Sequence, residues 1–107
     1  MRDAAFLVLA ALADRELHGY GIIGEVKALS DGRLALGPGT LYGTLDRLSE
    51  QGLVRPTRTE VVDGRLRRYY GITGSGMSAV QAEAEDRAAT LRAATARLQV
   101  GTRGALA

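Results

Sequence analysis

Residues 38–73 read PGTLYGTLDRLSEQGLVRPTRTEVVDGRLRRYYGIT, and this stretch decides the fold. Pro38 suits the first position of a helix, because the N–H that proline lacks has no intrahelical partner there. Leucines then recur at spacings of four and three residues, at Leu41, Leu45 and Leu48. The pattern predicts a helix over about 38–52 with one apolar face.

The second half of the stretch has the composition of a β-hairpin. Segments 53–59 and 66–73 are rich in β-branched, aromatic and arginine residues, and Asp63-Gly64 lies between them. An Asp-Gly pair favours a tight turn between two strands. We therefore expect a helix followed directly by a two-stranded wing.

Two more helices are predicted on the N-terminal side. The first covers about 3–14, where Asp3 can act as the N-cap and almost every following residue is apolar. The second covers about 18–30 and has an apolar stripe at helical spacing.

A long fourth helix is predicted after the hairpin. Thr73 or Ser75 can cap it, and it extends to about residue 100. The expected fold class is mainly α with a small β-hairpin, a winged helix-turn-helix plus a long C-terminal helix. We expect the DNA-binding domain over 1–73, a dimerisation helix over 74–100 and a flexible tail over 101–107.

The apolar stretch 4–13 must be distinguished from a leader sequence. It is shorter than a signal peptide, Asp3 cancels the charge of Arg2, and it cannot span a bilayer. A buried helix explains it better, so we expect no membrane partner and a cytoplasmic protein.

The composition argues against an enzyme or a metal sensor. The 107 residues include no cysteine and a single histidine, His18, and no paired-carboxylate motif is present. One histidine cannot complete a ligand set, and catalysis needs a converging group of ionisable side chains. We expect no cofactor, no metal and no enzymatic activity.

Positive charge is concentrated in the predicted wing. Residues 53–73 carry five arginines against Glu60 and Asp63, a net charge of +3, while the rest of the chain sums to −1. Such a segment is typical of a phosphate-contacting element, although a solvated charged hairpin is an alternative explanation.

The run Gly19-Tyr20-Gly21-Ile22-Ile23-Gly24 fits the G-x-G-x-x-G dinucleotide fingerprint. No strand is predicted before it and no βαβ unit around it, so the context excludes that interpretation. Small residues here instead allow a neighbouring helix or the DNA backbone to approach closely, and Tyr20 becomes a candidate DNA contact.

The N-terminal half of the third helix is the expected DNA-reading surface. Its backbone N–H groups and positive dipole suit phosphate, whereas Asp46 and Glu50 further along would repel it. The candidate residues on this helix are Pro38, Gly39, Thr40, Tyr42, Gly43, Thr44 and Arg47. Alternatively, the threonines only cap the helix and Tyr42 packs on the core.

The wing supplies a second set of candidate contacts, Arg65, Arg67 and Arg68. Strand periodicity places Arg67 on one face and Arg68 with Tyr70 on the other. Arg65 and Arg67, nearer the turn, are expected to reach phosphates or the minor groove. Whether Arg68 or Tyr70 faces inward is left open.

The fourth helix carries a nearly regular heptad seam that is interrupted once, by Arg87. We expect this seam and the first helix to form a homodimer interface, although packing within one chain is an alternative. The predicted interface residues are Phe6, Leu9, Leu12, Met77, Val80, Ala84, Leu91 and Leu98. A small apolar or aromatic effector could bind weakly between the subunits.

Five short motifs follow one another along the chain: Leu17-His18-Gly19-Tyr20-Gly21-Ile22-Ile23, Gly39-Thr40-Leu41-Tyr42, Leu45-Asp46-Arg47-Leu48, Gly52-Leu53-Val54 and Arg67-Arg68-Tyr69-Tyr70-Gly71-Ile72-Thr73 with Gly76. In these motifs the sequence resembles the PadR family of transcriptional regulators over about 6–80. The sequence departs from the family at Gly43, where a proline is usual.

The resemblance implies a homodimer whose third helices enter successive major grooves of a pseudo-palindromic operator, usually to repress transcription. It also implies the short branch of the family, in which the first helix and a single C-terminal helix build the interface. The alternative function is a winged-helix module that binds protein or serves as a scaffold without specific DNA binding.

Overall fold

The structure is a computed structural model that describes residues 1–106, and these residues form four helices and one three-stranded antiparallel sheet. The elements in chain order are α1 (Asp3–Ala11), β1 (Leu17–His18), α2 (Gly19–Leu29), α3 (Pro38–Glu50), β2 (Val54–Val62), β3 (Arg65–Ile72) and α4 (Gly74–Leu106). The predicted class, mainly helical with a hairpin wing and a long C-terminal helix, is confirmed.

The hydrophobic core lies where α1, α2 and α3 meet. Its largest fully buried apolar side chains are Leu9, Leu12, Ile22, Leu41, Leu45, Val8 and Val26. Tyr70 of β3 and Val80 of α4 complete it from the other side. The apolar residues of α1 are therefore explained by burial, since a helix that is apolar on most sides must be covered on most sides.

Helix α1 differs from its prediction at both ends. Arg2 is the N-cap and Asp3 the first helical residue, so the predicted capping role of Asp3 is wrong. The helix ends at Ala11, before the expected boundary near Asp14. Over the described residues, no helix combines the length and apolar character needed to cross a membrane.

The sheet contains a strand that the sequence did not predict. β1 pairs with β3 through Leu17 opposite Tyr70 and His18 opposite Tyr69, which gives the strand order β1-β3-β2. His18 therefore belongs to a strand, and α2 begins one residue later than expected.

The wing is longer than predicted and has a tight turn. β2 extends to Val62, and Asp63 and Gly64 connect the strands with φ of 51° and 75°. Two successive positive φ angles characterise the type I′ turn that Asp-Gly favours. The register shifts once, between Pro56 and Arg58.

Helix α4 begins as expected and ends later. The Thr73 hydroxyl accepts a hydrogen bond from the Gly76 N–H at 3.0 Å, which confirms Thr73 as its cap. The helix then runs 33 residues to Leu106, so the predicted end near residue 100 is wrong and 101–106 is helical rather than a tail. Ala107, the last residue of that predicted tail, lies outside the described residues.

Candidate nucleic-acid interface

The exposed end of α3 carries most of the predicted DNA-reading residues. Leu41, Leu45 and Leu48 point into the core, while Pro38, Gly39 and Thr40 are exposed at the start of the helix. Gly37 is the N-cap and has no side chain to occupy the first-turn N–H groups. This end therefore presents backbone donors and the positive helix dipole to an incoming anion.

Tyr20 and Tyr42 lie side by side at the junction of α2 and α3. They line a small cavity of about 60 Å³ together with Gly19, Ile23, Pro38 and Leu41. Tyr20 is 76% exposed and Tyr42 45% exposed, so both rings reach solvent. These two predicted DNA contacts therefore lie at the same junction.

The absence of a side chain at Gly19 allows Tyr42 to pack closely against α2. A Cβ atom at position 19 would lie 2.6 Å from the hydroxyl oxygen of Tyr42. Tyr42 thus packs across α2 and also presents an exposed edge. One part of the side chain is in the packed interior, as one interpretation predicted, and another part is accessible to DNA, as the other predicted. Gly19 therefore serves helix packing, as expected for the small residues of this run.

Thr44 is not available to DNA, which corrects its prediction as a contact. Its side chain is only 1% exposed. Its hydroxyl donates to the Thr40 carbonyl at 2.8 Å and accepts from Arg47 Nη2 at 3.3 Å. A β-branched side chain that bonds back to the preceding turn satisfies its own polar atom inside the core.

Gly43 and Arg47 stay at the edge of the surface. A Cβ atom at position 43 would meet only Arg47 Nη1, at the ordinary contact distance of 3.7 Å. Arg47 is exposed although it bonds to Thr44. Glycine at position 43 is therefore not required by packing.

All five arginines of the wing are exposed, and three of them lie near its turn. Arg65, Arg67 and Arg68 are exposed, whereas Tyr70 is buried. Of Arg68 and Tyr70, which lie on the same face of β3, it is Tyr70 that packs against the core. Arg68 is exposed because the hairpin at this position extends past the helices. The glycine-containing turn and the three arginines form one basic tip.

Arg58 has a different environment, which the sequence did not indicate. Its guanidinium donates through Nε to Glu16 and through Nη1 to Glu60 at 2.7 Å, and its Cζ lies 3.8 Å from the centre of the Tyr69 ring. Glu16 is 42 residues away in the chain, so no local pattern could reveal the pair.

The carboxylates in this cluster titrate abnormally. Hydrogen bonds from Arg58 hold the pKa of Glu16 and the pKa of Glu60 below the usual carboxyl range, and the Tyr69 hydroxyl assists at Glu60. The same bonds raise the pKa of Arg58. Arg58 is therefore already neutralised by its neighbours, and the free basic charge of the wing is mainly at the tip.

The residues predicted to form the dimer surface divide into three sets by burial. Leu9, Leu12 and Val80 are covered within the single chain, so their assignment to the interface is wrong. Leu91 and Leu98 are 67% and 70% exposed, and Ala84 is also exposed. Phe6 and Met77 are partly buried against the core.

Arg87, which interrupts the heptad seam, joins α4 to α1. Its Nη1 donates to Asp3 at 2.9 Å and its Nη2 to the Met1 carbonyl at 2.9 Å. Its Cζ lies 4.2 Å from the centre of the Phe6 ring. A hydrogen bond from Arg87 also lowers the pKa of Glu83, and the bonds to Glu83 and Asp3 raise the pKa of Arg87.

Residues 8–82 match the model of the Transcriptional regulator PadR-like family. The chain belongs to the PadR-like family of transcriptional regulators. Membership confirms the predicted resemblance and places this PadR-like chain among transcription regulators, not among enzymes.

Two relatives share more than 40% of their aligned residues with this PadR-like chain. Transcriptional regulator Rv3488 of Mycobacterium tuberculosis is 43% identical over 82 residues, which cover 77% of this chain and 70% of that protein. An uncharacterised 37.1 kDa protein in transposon TN4556 of Streptomyces fradiae is 44% identical over 86 residues. The match covers 80% of this chain but only 23% of the transposon protein.

Solved structures show the same fold at lower identity. A PadR family regulator from Clostridium difficile matches with a TM-score of 0.76 and 19% identity, over 91% of this chain and 99% of that one. Bacillus subtilis PadR in complex with operator DNA matches with a TM-score of 0.65 and 23% identity, over 75% of this chain and 46% of that one.

Proposed function

We propose that this PadR-like chain is a cytoplasmic repressor of transcription. It binds a pseudo-palindromic operator in double-stranded DNA as a homodimer. The observation that carries the proposal is the presence, in one chain, of an exposed α3 N-terminus without a side-chain cap and a basic wing tip. The Bacillus subtilis relative, crystallised with operator DNA, supports the same use of the fold.

The α3 surface is proposed to read sequence. Its start can enter a major groove, because the acidic residues Asp46 and Glu50 lie further along the helix and away from the deepest position. The proposed contacts are Tyr20, Pro38, Gly39, Thr40, Tyr42, Gly43 and Arg47. Thr44 is not among them because it is buried.

The wing tip is proposed to contact the backbone. Arg65, Arg67 and Arg68 are exposed, and the carboxylates of Glu16 and Glu60 form their ion pairs with Arg58 instead. Guanidinium groups bind phosphate well. Such contacts fix orientation and supply affinity without reading sequence. The wing would therefore set how α3 lies in the groove.

The second half of α4 is proposed to complete the dimer. Leu91 and Leu98 face solvent seven residues apart on one stripe, with no other element of the described residues covering them. A second copy could cover this stripe, with Phe6, Met77 and Ala84 at its edge. An apolar or aromatic effector would bind weakly in that interface, because few aromatic rings are available to stack on it.

Selection of bound fragments from sheared genomic DNA tests the proposed function. We expect enrichment of a sequence with two inverted half-sites whose centres are about 10–10.5 base pairs apart, the spacing of successive major grooves. Binding that shows no sequence enrichment and no salt dependence would contradict it, and would favour the protein-binding or scaffold alternative.

A further inference from the structure

A cluster of five side chains lies on the outer face of the sheet at the base of the wing. Tyr69 of the central strand β3 has His18 of β1 on one side and Arg58 of β2 on the other. The His18 and Tyr69 ring centres are 5.4 Å apart, and the Arg58 guanidinium covers the Tyr69 ring at 3.8 Å. Side chains from all three strands therefore lie in contact in one row.

Two carboxylates hold this row in place. Glu60 accepts hydrogen bonds from Arg58 at 2.7 Å and from the Tyr69 hydroxyl at 3.1 Å. Glu16, in the loop just before β1, accepts from Arg58 Nε. The guanidinium donors thus point to partners within the protein, and one face of the group is covered by an aromatic ring.

The cluster joins the wing to the helical body. β2 is an edge strand whose sheet partner is β3, and the hairpin beyond residue 58 is largely exposed. Glu16 belongs to the segment that continues through β1 directly into α2, where Gly19 packs against Tyr42. The Arg58–Glu16 pair therefore connects the wing with the segment that also packs against α3.

We infer that Arg58 and Glu16 are positioning residues for DNA binding: their ion pair fixes the wing relative to α3, so that the arginines at the tip reach the backbone. The inference rests on the proposed role of the wing in DNA binding. It assigns Arg58 a different function from the tip arginines, although all belong to the same basic segment.

Because Glu16 is negatively charged, the inference can be tested by whether its neutralisation weakens or tightens DNA binding. Neutralising a carboxylate on a DNA-binding protein removes repulsion from phosphate, so electrostatics alone predicts tighter binding. If Glu16 positions the wing, Glu16→Gln must instead weaken binding. We expect a loss of about two- to fivefold in operator affinity, the range that an exposed ion pair supports.

Glu25→Gln is a matched control. Glu25 also pairs with an arginine, Arg15, at 2.8 Å, and its side chain is 37% exposed, the same as that of Glu16. It lies on α2 and outside the cluster. The substitution removes the same charge, so we expect unchanged or slightly tighter binding.

A double-mutant cycle tests whether the two residues act as one unit. We expect Arg58→Gln to weaken binding, and the double variant with Glu16→Gln to bind no more weakly than Arg58→Gln alone. Arg58→Lys keeps the charge but loses the planar guanidinium that donates to Glu16 and Glu60 at the same time, so it should also weaken binding. Hydrogen exchange should rise in the wing of each cluster variant while the helical core stays protected.

Arg67→Ala separates failure of this inference from failure of the proposed function. If Arg67→Ala leaves DNA affinity unchanged, the wing does not contact DNA and the proposed function is wrong in that part. If Arg67→Ala weakens binding but Glu16→Gln leaves it unchanged or tightens it, the positioning role is overturned. Additive losses in the cycle, or full affinity in Arg58→Lys, would also overturn it.

Discussion

Glycine has opposite consequences at positions 43 and 76. A Cβ atom at position 43 would make one ordinary contact, whereas at position 76 it would lie 2.0 Å from the Leu53 carbonyl oxygen and 2.7 Å from Ile72 Cγ1. Gly76 is therefore required where the start of α4 packs against Leu53, in the connection between α3 and β2. Gly43 lowers the stability of α3 relative to alanine, and no packing contact requires glycine there.

We expect Gly43→Ala to raise the free energy of unfolding by about 0.5–1 kcal/mol, because alanine favours a helix interior. Gly76→Ala should lower it by about 1–3 kcal/mol, because backbone must move to admit the methyl group. Urea unfolding followed by circular dichroism measures both. Equal effects, or a larger loss at position 43, would contradict the packing described for these residues.

Thr40 and Thr44 are four residues apart and have separate roles. Thr40 is exposed at the start of α3, and Thr44 is buried and bonds to the Thr40 carbonyl. Helical periodicity placed Thr44 on the flank of the exposed face, where burial could not be judged. The sequence predicted both as DNA contacts, and the structure leaves only Thr40 available.

Substitution by valine, which has nearly the same shape, distinguishes the two threonines. Thr40→Val should reduce the ratio of operator to random-DNA affinity by about fivefold or more, because a lost base contact is worth about 1–3 kcal/mol. Thr44→Val should lower stability by about 1 kcal/mol through its lost hydrogen bonds and leave the ratio unchanged. Competition binding measures the ratio; the opposite assignment of effects would contradict these roles.

Among the elements, long ones were predictable and β1 was not. The leucine spacing of α3 and the Asp-Gly turn of the wing are local signals, and both elements formed close to their predicted positions, with β2 ending three residues later than predicted. β1 has two residues and exists because β3, about fifty residues later, pairs with it. The Arg58–Glu16 pair was missed for the same reason, since long-range pairing leaves no periodic pattern in either segment.

Helix α4 continues past the end predicted for it near residue 100, through two glycines. Gly101 and Gly104 lie within the helix, and the Thr102 hydroxyl bonds to the Leu98 carbonyl at 2.9 Å. Glycine lowers helix propensity but does not end a helix that continues with good helix formers. The helix would measure about 50 Å at 1.5 Å per residue.

The exposed stripe of α4 predicts the behaviour of charge substitutions. Leu91→Asp and Leu98→Asp should shift the protein from dimer towards monomer, because each would bury an unpaired charge in the interface. Ala89→Asp adds the same charge on another side of the helix and should leave the dimer intact. Sedimentation at micromolar concentration is the measurement, and a wild-type monomer would contradict the proposed dimer.

At the scale of the whole molecule, the chain is elongated, with extents of 66 × 27 × 21 Å. The helical body and the wing lie at one end of α4, while Arg87 fixes the first part of α4 to α1. The remaining length of α4 carries exposed leucines away from the body. The proposed DNA-binding surface and the exposed leucine stripe of α4 therefore lie on different parts of the molecule.

The central claim, that the wing tip and α3 form a DNA-binding surface, is tested most directly by the salt dependence of binding. Affinity for operator and for random duplex is measured from low to moderate salt for the wild type and Arg67→Ala. We expect a steep linear decline of log affinity with log salt for the wild type. Arg67→Ala should flatten the slope by about 0.9 per wing on both duplexes, because a phosphate contact carries no sequence information. An unchanged slope in Arg67→Ala, or a wild type whose binding does not respond to salt, would contradict the claim.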